Sequence, residues 1–199
     1  MKPKHFWTYV PVVLLAAVCQ IPCTAQTAEA AKTQANLPAQ YSAVAIGQSS
    51  SAAGKSFGLT IYLQELTSNA DIDELVAILK NKGPDGLVSA MEDIKDKGRV
   101  APTGSVGTGI RVVRIRPKKH GGQHIVLATN RPISFAELYN GTRSRDYKFG
   151  LVMLNVDKDG KGTGSLAPLC KIKFNKNNEL EIEHYGQKPF RLANVQLQK

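Results

Sequence analysis

From Arg99 to the C-terminus the chain is a succession of short segments in which apolar and polar residues alternate, each bounded by Gly, Asn or Asp. "GIRVVRIRPKK" and "QHIVLATN" flank a turn at His120 to Gly122, and "YKFGLVMLNV" and "GSLAPLCKIKF" flank "DKDGKGTG". "CKIKF" and "LEIEH" flank "NKNN", and "PFRLANVQLQ" closes the chain. A period of two puts alternate side chains on opposite faces of a strand, and turn residues between such runs mark hairpins. Consecutive hairpins make an antiparallel meander. With "YSAVAIG" and "FGLTIYLQEL" ahead of it the sheet has about eight strands, too many to stay flat, so it is expected to close into a β-barrel or split into a β-sandwich.

One stretch breaks the period of two. In "SNADIDELVAILKNKG", Ile72, Leu75, Val76 and Leu79 recur at helical spacing, Ser68 to Asp71 offer capping oxygens, and Gly83 stops the helix. Pro84 suits the first position of a second helix, "PDGLVSAMEDIKDKG", with Leu87, Val88, Met91 and Ile94 on one face and Gly98 as its end. The fold class is therefore α+β: an antiparallel β-barrel or β-sandwich of about eight strands in all, whose meander runs over about 98–198, with an α-helical hairpin over about 70–97 inserted near its N-terminal side. The hairpin is expected to dock one apolar side on the sheet, with Met91 in the core.

Ahead of this domain lie two segments of different character. "MKPKHFW" is basic, "TYVPVVLLAAVCQI" is apolar but short for a membrane span, and "CTAQ" places small residues for cleavage after Ala25. Residues 1–25 thus read as a cleaved secretory signal, the alternative being a retained signal anchor, and the chain is expected to be secreted or periplasmic, with no transmembrane span once the signal is removed. Val18 before Cys19 and Pro22 before Cys23 disfavour a lipoprotein signal. Residues 26–40, with few large apolar side chains, read as a low-complexity tether, leaving 41–199 as a single domain. Two of the three cysteines leave with the signal, so Cys170 has no internal partner and is expected to be buried.

Cleavage would remove Lys2 and Lys4 and lower the formal charge from +10 to +8. A basic protein outside the cytoplasm favours anionic envelope components over nucleic acid as partners. Arg111, Arg114, Arg116, Lys118 and Lys119, with Arg143 and Arg145, are the anion-binding candidates; the same run also serves as an ordinary solvated face. A bulge at Val112–Val113 would bring Ile110, Val112, Val113 and Ile115 to the core and send the arginines outward.

Catalytic signatures are sparse. Pairing Lys171 with Glu183 and Lys173 with Glu181 puts opposite charges across one face of the last hairpin and brings Cys170 opposite His184, a thiol beside an imidazole. No cysteine-hydrolase motif surrounds Cys170, and the carboxylates Glu65 and Asp93 have no paired acid. Asn155, Asp157, Asp159 and Gly160 match the first half of a calcium loop, but Leu166 stands where a bidentate Glu is needed, and a hairpin turn accounts for them. "GQSSSAAGKS" ends like a phosphate loop, yet Ser49 occupies the first glycine's place and a strand follows Ser56. His120 and His124 fall on a turn without a third ligand, and Asn140-Gly141-Thr142 is a glycosylation sequon. No cofactor or metal is expected. The sequence thus suggests a non-enzymatic extracytoplasmic binding module, for a small apolar ligand inside the barrel or an anionic envelope component. The alternatives are a structural or interaction protein of the envelope and a hydrolase using Cys170 and His184.

Overall fold

A computed structural model describes residues 37–48, 53–119, 121–133, 146–184 and 188–198. Residues 1–36, which hold the expected signal and most of the expected tether, lie outside the described residues, as do His120, the sequon, Arg143 and Arg145.

Alternating apolar residues form strands β1 (Ala39–Ile46) and β2 (Ser56–Leu63), and helix α1 (Asn69–Glu92) follows. Then come β3 (Gly98–Pro102), β4 (Thr108–Ile110), β5 (Val112–Pro117), β6 (Gln123–Thr129) and β7 (Phe149–Val156). β8 (Lys161–Phe174), β9 (Leu180–His184) and β10 (Phe190–Gln198) complete the sheet, in which every pairing is antiparallel. Tyr41 thus lies inside a strand that starts two residues earlier, at Ala39.

The wall runs β4-β3-β2-β1-β10-β8-β7-β6-β5. Only Arg111 separates β4 from β5, so the two ends of this order are halves of one bent strand and the sheet comes round on itself as a nearly closed barrel. Counted that way, the nine strands of the circuit make eight staves, and β9 lies off it against β8. Eight strands enclose a space just wide enough for side chains to fill. Tyr41, Leu59, Ile61, Leu63, Ile110, Ile125, Leu127, Leu154, Leu166 and Leu192 are buried in one continuous cluster inside it.

A second core lies outside the barrel. Residues that alternate with the inner set, Ala128 on β6, Phe149 and Leu151 on β7, and Ala167, Cys170 and Ile172 on β8, are buried beneath Leu75, Leu79, Leu87 and Met91 of α1. α1 begins at Ser68, whose hydroxyl accepts the Asp71 N–H at 3.0 Å. It breaks at Gly83, in the left-handed region at φ 69°, and Pro84 restarts it. The two arms face each other across a groove of about 710 Å³ lined by Leu75 and Ile78 on one side and Ala90 and Ile94 on the other. A helical hairpin thus covers one flank of the barrel. No described helix is long and apolar enough to cross a membrane.

The irregularity in the arginine-rich strand falls one residue earlier than the alternation suggests. β5 pairs with β6 in unbroken register from Val112↔Ala128 to Pro117↔Gln123, and the bend is at Arg111. Val113 and Ile115 face the barrel core, but Val112 points outward into the second core under α1. A strand with apolar surroundings on both faces can place a valine on either side, so alternation alone could not locate the bend.

Arg111 holds that bend. Its guanidinium donates to the Ile94 carbonyl, and its Nε lies 3.3 Å from Asp96 Oδ1. Close by, Thr67 exchanges hydrogen bonds with Val113, N–H to O at 2.9 Å and Val113 N–H to Oγ1 at 2.9 Å. The segments entering and leaving α1 are therefore clipped to the strand that closes the barrel.

Candidate anion-binding surface

Two hairpin turns meet at one end of the barrel. In the β5–β6 turn, Gly122 O accepts the Lys118 N–H at 3.1 Å and Gly121 and Gly122 both have φ of 82°. A side chain at Gly122 would run into the Val156 carbonyl and Asp157 of the neighbouring turn, so glycine lets the two hairpins touch. The β7–β8 turn is locked by Asp157, whose carboxylate accepts the N–H groups of Asp159 and Lys161, both at 2.9 Å. Those backbone donors, that of Lys161 first, hold the Asp157 carboxyl below its usual range.

The side chains that project here are basic. Arg116, Lys118 and Lys119 from one hairpin and Lys158 and Lys161 from the other are exposed, against the two carboxylates Asp157 and Asp159. Lys118 Nζ reaches across to the Val156 carbonyl at 3.4 Å, and His124 Nδ1 lies 2.9 Å from Asn155 Oδ1 between the turns. Arg116, His124, Asn155 and Thr163 stand in one row across the outer face of four strands. The result is a ridge of five cations with a local excess of three positive charges, able to neutralise a row of anionic groups.

Of the arginines singled out by sequence, Arg116, with Lys118 and Lys119, stands on this ridge. Arg111 is committed to Ile94 and Asp96, and Arg114 lies half-buried with Nη1 3.3 Å from Asn69 Oδ1 at the start of α1. Arg143 and Arg145 lie outside the described residues. Lys158 and Lys161 carry no such signal in the sequence: "DKDGKG" reads as an Asp-Gly hairpin turn, and nothing local in it says that the two turns touch.

The remaining candidates lead elsewhere. Cys170 does stand opposite His184, in the register read from charge alone. The chemistry runs against a nucleophile, however: burial pushes the Cys170 thiol up to about 12, and burial also lowers the His184 imidazole. A thiol in an apolar core beside a neutral imidazole is a packing residue. Asp157 spends one carboxylate oxygen on its turn, Asn155 faces His124, and among the described residues no group of three or more His, Cys, Asp or Glu is placed to hold a metal. Glu65 pairs with the buried Lys97 at 2.9 Å, while Asp93 caps α1. In the glycine-lysine-serine stretch, Ser56 opens β2 and the Gly47 N–H donates to the Lys55 carbonyl at 2.9 Å; residues 49–52 lie outside the described residues.

No protein-family model matches this chain, and neither a curated protein nor a solved structure matches it significantly.

Proposed function

We propose that this chain is a non-enzymatic binding module acting outside the cytoplasm, and that it holds an anionic envelope polymer along the ridge of Arg116, Lys118, Lys119, Lys158 and Lys161. The observation that carries this reading is the junction of the two basic hairpins, whose lysines come from sequence-distant turns held together by close glycine contacts. Multiple exposed cations in a row suit a ligand with repeated negative charge, because each contact adds a modest attraction and their sum is sizeable. The leader "MKPKHFWTYVPVVLLAAVCQI" supports a place in the envelope.

A ligand inside the barrel is the less favoured form of the same reading. Ile61, Ile110, Ile125, Leu154, Leu166 and Leu192 are all 0% exposed, so no water-sized void lies against them. An apolar guest would have to displace side chains that already fill the space.

Inorganic polyphosphate is a suitable probe. The full chain is expected to bind it with an affinity that falls as salt rises, and the combined variant Arg116→Gln, Lys118→Gln, Lys119→Gln and Lys158→Gln is expected to bind about tenfold more weakly or worse, with a shallower salt dependence. Equal affinity for the two proteins would overturn the assignment of the ridge.

A further inference from the structure

Among the described residues, β9 lies off the circuit of the barrel and pairs with β8 alone. Its free edge has a defined polarity. The Asn175 N–H donates to the Glu179 carbonyl at 2.9 Å, which starts the ladder, and the register then runs Phe174↔Leu180, Lys173↔Glu181, Ile172↔Ile182, Lys171↔Glu183 and Cys170↔His184. Bonded and non-bonded pairs alternate in an antiparallel ladder. Glu181 and Glu183 therefore bond to β8, while Leu180, Ile182 and His184 turn their N–H and C=O groups to the other side. Among the described residues nothing pairs with those groups.

The side chains of β9 divide by face. Leu180 is 56% exposed, and Ile182 packs beside Phe174 at the margin of the second core, so the apolar face ends abruptly at β9. On the opposite face stand Glu181 and Glu183, with Glu179 at the head of the strand. Glu183 accepts hydrogen bonds from Tyr147 at 2.5 Å and from Lys173 at 2.9 Å; Lys173 lies 3.9 Å from Glu181.

A second copy of this chain does not suit the edge. Antiparallel self-pairing through Leu180, Ile182 and His184 sets even-numbered residues opposite even-numbered ones. Every such register then places Glu179, Glu181 or Glu183 opposite another of the three wherever they overlap, and like charges directly opposite are unfavourable.

We infer that β9 is a docking strand for an extended segment of another protein in which Lys or Arg alternates with apolar residues. Such a segment adds a strand to the sheet through the three outward backbone groups. Its basic side chains lie directly across from Glu181 and Glu183, and its apolar side chains continue the second core over Leu180 and Ile182. The charge it requires is opposite to that of the polymer proposed for the ridge, so the two sites take different ligands.

Amide hydrogen exchange of the full chain tests this with a blocked peptide of alternating lysine and isoleucine, compared with its glutamate–isoleucine counterpart. The lysine peptide is expected to bind, despite the protein's overall positive charge, and to slow exchange at Leu180, Ile182 and His184; the glutamate peptide is expected to do neither. Ile182→Pro removes an outward donor without touching a bond to β8 and is expected to abolish binding. Glu181→Gln, an exposed, near-isosteric change that sets no like charge opposite Lys173, keeps the hairpin even if the proline does not and is expected to weaken binding several-fold. No binding by the lysine peptide, or binding that leaves those three amides unprotected or is unaffected by Glu181→Gln, overturns the inference.

Discussion

At Cys170 and His184, burial decides the chemistry. With its thiol pushed up to about 12, Cys170 carries on the order of one thiolate in 10⁵ at neutral pH. Iodoacetamide is therefore expected to label the native chain far more slowly than the unfolded one; equal rates would contradict the burial. His184 gives the protein a pH dependence of definite sign. Burial lowers its imidazole below 6.5, so the unfolded chain binds the extra proton as pH falls, and stability declines from about pH 7 downward until both states are protonated. Glu183, Asp85 and Asp157 are held below their usual values by hydrogen-bond donors, so their contribution is lost only below about pH 4.5. Urea titrations should show the upper loss shrink in His184→Gln while the lower one persists. Asp96 and Gly109 form another single-residue device, since a methyl at Gly109 would strike the carboxylate that meets Arg111. Gly109→Ala is expected to destabilise the native chain by more than 1 kcal/mol or so, and by distinctly less when Asp96 is already Ala. A double-mutant cycle by denaturant unfolding measures the difference.

The elements differ in how openly the sequence announces them. The β8–β9 hairpin was legible in full, because two lysines facing two glutamates leave one favourable register, and the structure adopts it. The helical break was legible because glycine can occupy the left-handed region and the following proline restarts a helix. A side chain added at Gly83 meets nothing within 4 Å, so Gly83→Ala is expected to cost only the backbone strain of holding φ 69° with ψ −168°, about 1–3 kcal/mol by thermal unfolding. A cost near zero would mean that the two arms do not need the break. β3 does not stand out in the sequence as a separate strand. Its five residues end in Pro102 and run into Gly104 and Gly107, so turn residues mask a strand whose identity comes from pairing with β2. The bend at Arg111 was displaced by one residue for a related reason: its position is set by Asp96 and the Ile94 carbonyl, which belong to another part of the chain.

At the scale of the whole molecule, closure depends on contacts no local pattern reveals. The first and last strands lie side by side, from Gln40↔Gln198 to Ile46↔Arg191, and the strand broken at Arg111 joins the other ends of the sheet. The antiparallel character and the approximate number of strands could be read from alternation, but the meeting of β1 with β10 and of two basic turns could not. The ridge is a product of that closure. The polymer-binding role proposed for it is tested most directly by the exchange footprint of polyphosphate on the full chain. Protection is expected around Arg116 to Gln123 and Val156 to Lys161, with amides of the inward-facing β1 and β2 residues unchanged. Protection confined to those barrel residues, or no footprint at either turn under conditions where polyphosphate binds, would contradict the account.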